Sequence, residues 1–129
     1  MNSLILVMDD SMIEMVKIEP PAFRYWCIMM TKGENEHNVY SYYGTLGKPL
    51  SELNESVKVF NNYWNARDYV YSKIDEKRRH GYKVLTDEQS KLLEKVRDTK
   101  STDDLILFLK SLTKNEVKTD FGNYVGVRA

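Results

Sequence analysis

The spacing of apolar residues changes near residue 65, and this limits the chain to a sheet followed by helices. Up to that point apolar and aromatic residues alternate or run in short blocks. Beyond it they recur at steps of three and four. Residues 13–18 predict a strand with Ile13, Met15 and Lys17 on one face. Pro20-Pro21 ends it, because proline offers no N–H to a ladder. Residues 23–30 are apolar on both faces except at Arg24, as expected of a central strand covered on both sides. Residues 31–38, with Gly33, predict a polar loop. Residues 39–43 are β-branched or aromatic and predict a strand that Gly44 and Gly47 break, and residues 57–60 predict another. Short runs linked by turns imply an antiparallel meander.

In the second texture, Ala66, Tyr69, Val70, Lys73, Ile74 and Lys77 form an amphipathic helical stripe. Asn65 is the expected N-cap, and Asp68 falls in the first turn. Lys77, Arg78, Arg79 and His80 suit the negative end of the helix dipole. Gly81 fits a left-handed C′ position, with Tyr82 as its apolar follower. Residues 82–85 allow one more short strand. Thr86 with Gln89 has the spacing of a capping box ahead of Leu92, Leu93 and Val96. Ser101 or Thr102 caps a last helix whose stripe is Leu105, Ile106, Leu109 and Leu112, with Phe108 beside it. Residues 121–127 are expected to form a strand. The predicted class is α+β: an antiparallel sheet of four or five strands with one packed helix over residues 1–85, then a helical pair over 86–129.

Composition removes several classes of function. With 129 residues, the chain can bury a core without disulfides or metal. Its 19 basic and 19 acidic residues cancel, which argues against a protein that grips nucleic acid by bulk charge. A single cysteine excludes an internal disulfide framework and a cysteine-built zinc site, and Cys27, in an apolar run, is expected to be a buried thiol. Residues 4–8 are apolar, but Asp9-Asp10 stops them and no basic residue precedes them, so no signal peptide or membrane segment is expected. Met1 is read as the start of a whole chain rather than a fragment, and the expected compartment is the cytoplasm.

The order of features over residues 12–85 resembles the WGR domain. The aromatic strand of that family is matched by Phe23-Arg24-Tyr25-Trp26-Cys27-Ile28. Its Trp-Gly-Arg-x-Gly signature falls on Tyr43-Gly44-Thr45-Leu46-Gly47. Its helix with a basic end and Gly-Tyr falls on Glu76-Lys77-Arg78-Arg79-His80-Gly81-Tyr82-Lys83. The resemblance implies a WGR-like fold and, from the family, a module that contacts broken DNA ends or docks between domains. Tyr43 replaces the tryptophan and Thr45 the arginine of the signature. Thr45 has no guanidinium for a phosphate, so the implied fold carries over better than the implied DNA contact.

Lys77, Arg78 and Arg79, with Lys83 nearby, form the one dense basic cluster, suited to phosphates or an acidic protein surface; the bland reading is dipole compensation on a solvated face. Tyr40, Tyr42 and Tyr43 suggest a stacking platform, against core filling, with Tyr43 on the opposite face from the other two. Trp64, placed before the Asn65 cap, is either a partner-binding ring or a staple on the first helical turn. His37 with Glu34 and Glu36 reads as a polar loop rather than a metal site. Asp120-Phe121-Gly122 copies a kinase tripeptide without the rest of a kinase. No catalytic constellation, cofactor motif or metal motif stands out, and a non-enzyme is expected.

Two functions follow from this reading. The first is an accessory or adaptor protein that binds a protein complex acting on nucleic acid. By analogy of size and composition with small phage proteins, RNA polymerase is the kind of machine it would modulate in transcription. The second is a WGR-like module that binds DNA or RNA weakly and without sequence preference.

Overall fold

The structure is a computed structural model that describes residues 12–117, with side chains to residue 113. The chain divides into two compact units, 1–85 and 86–129.

Among the described residues, the first unit is a five-stranded antiparallel sheet with one α-helix on a face. The strands are β1 (Met12–Glu19), β2 (Ala22–Lys32), β3 (His37–Thr45), β4 (Asn54–Phe60) and β5 (Lys83–Val84), in the order β4-β3-β2-β1-β5. Helix α1 (Tyr63–Arg79) joins the two edge strands. The apolar block of the sequence is therefore the middle strand, β2. Met15, Trp26, Ile28, Met30 and Val39 line the helix-facing side, and Ala66, Val70 and Ile74 of α1 close over them. Tyr25 and Cys27, on the opposite face of β2, are buried as well, as that block demands. Tyr25 Oη donates to Glu14 Oε2 on the neighbouring strand, so two buried polar groups satisfy each other. Burial, then Cys27 and Glu14, push the Tyr25 phenol far above its ordinary range.

Several expectations are corrected. The 31–38 loop shrinks to residues 33–36, because β2 and β3 keep pairing through Thr31↔Asn38 and Lys32↔His37. Gly44 does not break β3. It pairs with Tyr25, and a Cβ there would lie 2.7 Å from Leu53 Cδ2, so its glycine serves a close approach. The turn that follows is made by Gly47, at φ 91°. Finally, the helix starts three residues early. Asn62, not Asn65, is the N-cap, its Oδ1 accepting from Asn65 N at 2.8 Å. Trp64 therefore lies inside the first turn rather than ahead of the cap, and Asp68 lies beyond that turn.

The other end of α1 follows its sequence closely. Gly81 N donates to Arg78 O and Tyr82 N to Lys77 O, both at 3.0 Å, with Gly81 at φ 93°. These two bonds define a Schellman motif, which uses up carbonyls that would otherwise lack donors. It turns the chain back so that β5 pairs with β1 through Met15↔Val84.

The second unit contains α2 (Asp87–Thr99) and α3 (Thr102–Val117). The Thr86/Gln89 capping box is present in both directions, at 3.1 and 2.9 Å. Ser101 Oγ accepts from Asp104 N at 3.3 Å at the start of α3. The stripe of α3 is rotated from expectation: Phe108 and Leu112 are buried, whereas Ile106 is exposed. The expected strand at residues 121–127 lies outside the described residues, as does the apolar segment 4–8.

Candidate functional site: the two flanks of helix α1

Because α1 buries Ala66, Val70 and Ile74, its remaining side chains fall into two flanks on either side of that line. The residues singled out from sequence are divided between them. Trp64 and Lys77 are separated by roughly 20 Å of helix at about 1.5 Å per residue, so they do not form one site.

One flank carries Trp64, Arg67, Tyr71, Asp75 and Arg78, spaced by three and four residues. Trp64 is 62% exposed. The Arg67 guanidinium carbon lies 4.9 Å from the centre of the Trp64 ring and 5.6 Å from that of Tyr71. Arg67 is thus held between two aromatic rings, each about one helical turn from it along α1. Its Nη2 also meets Asp68 Oδ1 at 3.3 Å, while its Nε is buried with no acceptor. Tyr63 packs edge-on against Trp64, with centroids 5.2 Å apart, and braces the exposed indole from below. Sequence reading found Trp64 and Arg78 but missed Arg67 and Tyr71. The signal was the three- and four-residue spacing from Trp64, hidden by the misplaced cap.

The other flank carries Tyr69, Lys73 and Lys77, which face β3 and β4 across a groove of about 200 Å³. Trp26, Ser41, Tyr43 and Ser56 complete its lining. Cross-strand pairing places these four side by side: Trp26↔Tyr43 and Ser41↔Ser56 are directly opposed pairs. The ammonium groups rest on rings. Lys77 Nζ lies 5.6 Å from the Trp26 centroid and 5.3 Å from that of Tyr82, and Lys73 Nζ lies 5.7 Å from that of Tyr69. Lys58 Nζ covers the same Tyr69 ring at 5.4 Å. Glu76 Oε1 pairs with Lys73 Nζ at 3.4 Å. Tyr43 is 43% exposed, so one of the predicted tyrosines is available while its ring shares a face with Trp26.

The row beside this groove is cationic too. Lys17 pairs with Arg24, and Arg24 with Thr45, on the helix-facing side of the sheet. An exposed arginine therefore stands directly across the ladder from Thr45, a juxtaposition visible only once the register is known. Arg79 is exposed in the last turn of α1, and Lys83 lies on β5. Partial burial holds the Lys83 ammonium below its ordinary value.

Among the described residues, no group of three or more His, Cys, Asp or Glu side chains is arranged to hold a metal, and no helix is long and apolar enough to cross a membrane. The described residues define an α+β protein in which helix α1 carries an exposed tryptophan and several cationic side chains on its two flanks. No protein-family model matches the chain, and no curated protein or solved structure matches it either.

Proposed function

We propose that this protein is a non-enzymatic adaptor that docks onto a protein partner through the Trp64–Arg67–Tyr71 flank of α1. The observation that carries the reading is the exposed Trp64 indole with the Arg67 guanidinium clamped between it and Tyr71. Tryptophan, arginine and tyrosine are the residue types that dominate interface hot spots. An arginine already fixed between rings loses little side-chain entropy when a partner closes over it. Asp75 and Arg78 continue the stripe with charges suited to a polar rim. The partner in this reading belongs to machinery acting on nucleic acid, with RNA polymerase the first to test. The WGR-like order of features and the basic end of α1 support machinery acting on nucleic acid, while RNA polymerase rests on the analogy of size and composition with small phage proteins.

The test is affinity capture from extract after nuclease digestion, comparing the wild type with Trp64→Ala and Arg67→Ala. A captured complex that resists nuclease and is lost in both variants, with the fold intact by circular dichroism, supports the reading. Capture that vanishes with nuclease in the wild type overturns it.

A second reading has its own observation: Lys17 and Arg24 are opposed on the helix-facing side of the sheet, and the helix packed on that side ends in Lys77, Arg78 and Arg79. In that reading the protein contacts nucleic acid weakly, through phosphates and without base recognition. Arg24→Glu with Arg79→Glu should then abolish binding that is already weak at high salt.

A further inference from the structure

The groove on the other flank of α1 has the chemistry of a small anion site, independent of the docking flank. We propose that it binds a free mononucleotide, with the phosphate monoester between Lys73 and Lys77 and the base against Tyr43. Three features carry this. Lys73 and Lys77, one helical turn apart, line the same cleft, and Lys58 adds a third ammonium on the Tyr69 ring. Glu76 offsets one of these charges, so the cleft keeps a positive balance. A dianionic phosphate is the ligand that such a balance favours, through charge-assisted hydrogen bonds.

The floor of the groove supplies neutral donors. Ser41 is buried and Ser56 is its opposed partner, so two serines from neighbouring strands line the same cleft as the lysines. Hydroxyls rotate to donate to phosphate oxygens, which a purely aromatic floor cannot do. The volume of about 200 Å³ falls below the range of about 300–1,000 Å³ usual for whole drug-sized ligands. It fits the phosphate and the start of its carrier, with the remainder at the mouth. Tyr43, 43% exposed, provides the flat ring a base can stack on there. A bare phosphate leaves that ring unused, so a nucleotide satisfies the groove better than the ion does.

Trp26 lines the groove and the chain has only two tryptophans, so Trp64→Phe leaves Trp26 as the sole indole reporter. Adenosine monophosphate, uridine monophosphate, ribose phosphate, inorganic phosphate and a phosphorylated oligonucleotide are titrated at low salt against the Trp64→Phe protein. Both mononucleotides should change Trp26 emission saturably in the range around 1 mM or tighter. Ribose phosphate and inorganic phosphate should bind at least about tenfold more weakly. Tyr43→Ala should remove the advantage of the nucleotides over ribose phosphate. Lys73→Gln with Lys77→Gln should abolish the response, while Lys77→Arg retains it. Thermal unfolding of each variant separates lost binding from lost fold. Equal binding of inorganic phosphate and nucleotide, or binding unchanged in the double lysine variant, overturns the proposal. An oligonucleotide bound far more tightly than a mononucleotide also overturns it and gives the groove to a nucleic-acid end.

Discussion

Replacing Ile74 with alanine tests whether α1 is fixed to the sheet as described, on which both flanks depend. Ile74 is 1% exposed and belongs to the cluster of Met15, Trp26, Ile28 and Val70. Losing most of that side chain from a packed site costs about 2–5 kcal/mol, the transfer energy plus the cavity left behind. Ile74→Val, which removes a single methyl group, should cost about 0.5–1.5 kcal/mol. Val59 on the edge strand β4 is 58% exposed, so Val59→Ala should stay within about 0.5 kcal/mol. For a unit of this size each kcal/mol moves the thermal midpoint by about 4–8 °C, so Ile74→Ala should lower it by roughly 8–40 °C. Both tryptophans lie in the first unit, and their fluorescence reports its unfolding alone. If Ile74→Ala behaves like Val59→Ala, the helix does not pack on this face and both flanks are misassigned.

Gly81→Ala should destabilise the first unit by more than about 1 kcal/mol, read from the urea midpoint. The position sits at φ 93°, and an added Cβ would lie 3.3 Å from Lys17 Cε. Thr86→Ala removes the capping-box acceptor of α2 and should cost about 1 kcal/mol, seen as faster amide exchange in the first turn of α2. The Tyr42 phenol donates to Glu55 Oε2 at 2.8 Å, and that hydrogen bond, with some burial, pushes its pKa from 10.0 up to about 12. Because the folded value is the higher one, its contribution to stability is complete below pH 10.0 and is lost as pH rises towards about 12. In a phenolate absorbance titration, Glu55→Ala should bring Tyr42 back towards 10.0, and an unchanged curve would count against the bond.

The sheet and the helical pair were legible because their signals are local. The both-faced apolar run made β2 central, and Thr86 with Gln89 and Gly81 with Tyr82 marked helix ends by hydrogen bonds within a few residues. The start of α1 was harder, since Asn61, Asn62 and Asn65 are all good caps and only the chain leaving β4 decides among them. Gly44 looked like a turn residue because a glycine's reason is invisible without its neighbour, here Leu53. The groove depends on strand register. Ser41, Ser56, Trp26 and Tyr43 come from three strands, and no spacing in the sequence brings Ser56 into the same cleft as Lys73 and Lys77. Nothing in the sequence alone sets Arg67 apart from the other charges of α1, although its place between Trp64 and Tyr71 follows from helical spacing once the helix begins at Tyr63.

The most direct test of the adaptor reading is the affinity of the captured partner for wild-type protein and for Trp64→Ala, measured by calorimetry with both components free of nucleic acid. A hot-spot residue costs about 2 kcal/mol or more on truncation, so the dissociation constant should rise at least about 30-fold. Lys73→Gln, on the opposite flank, should leave it unchanged. An affinity that is the same for wild type and Trp64→Ala, or that falls only with Lys73→Gln, would contradict docking through the Trp64–Arg67–Tyr71 flank.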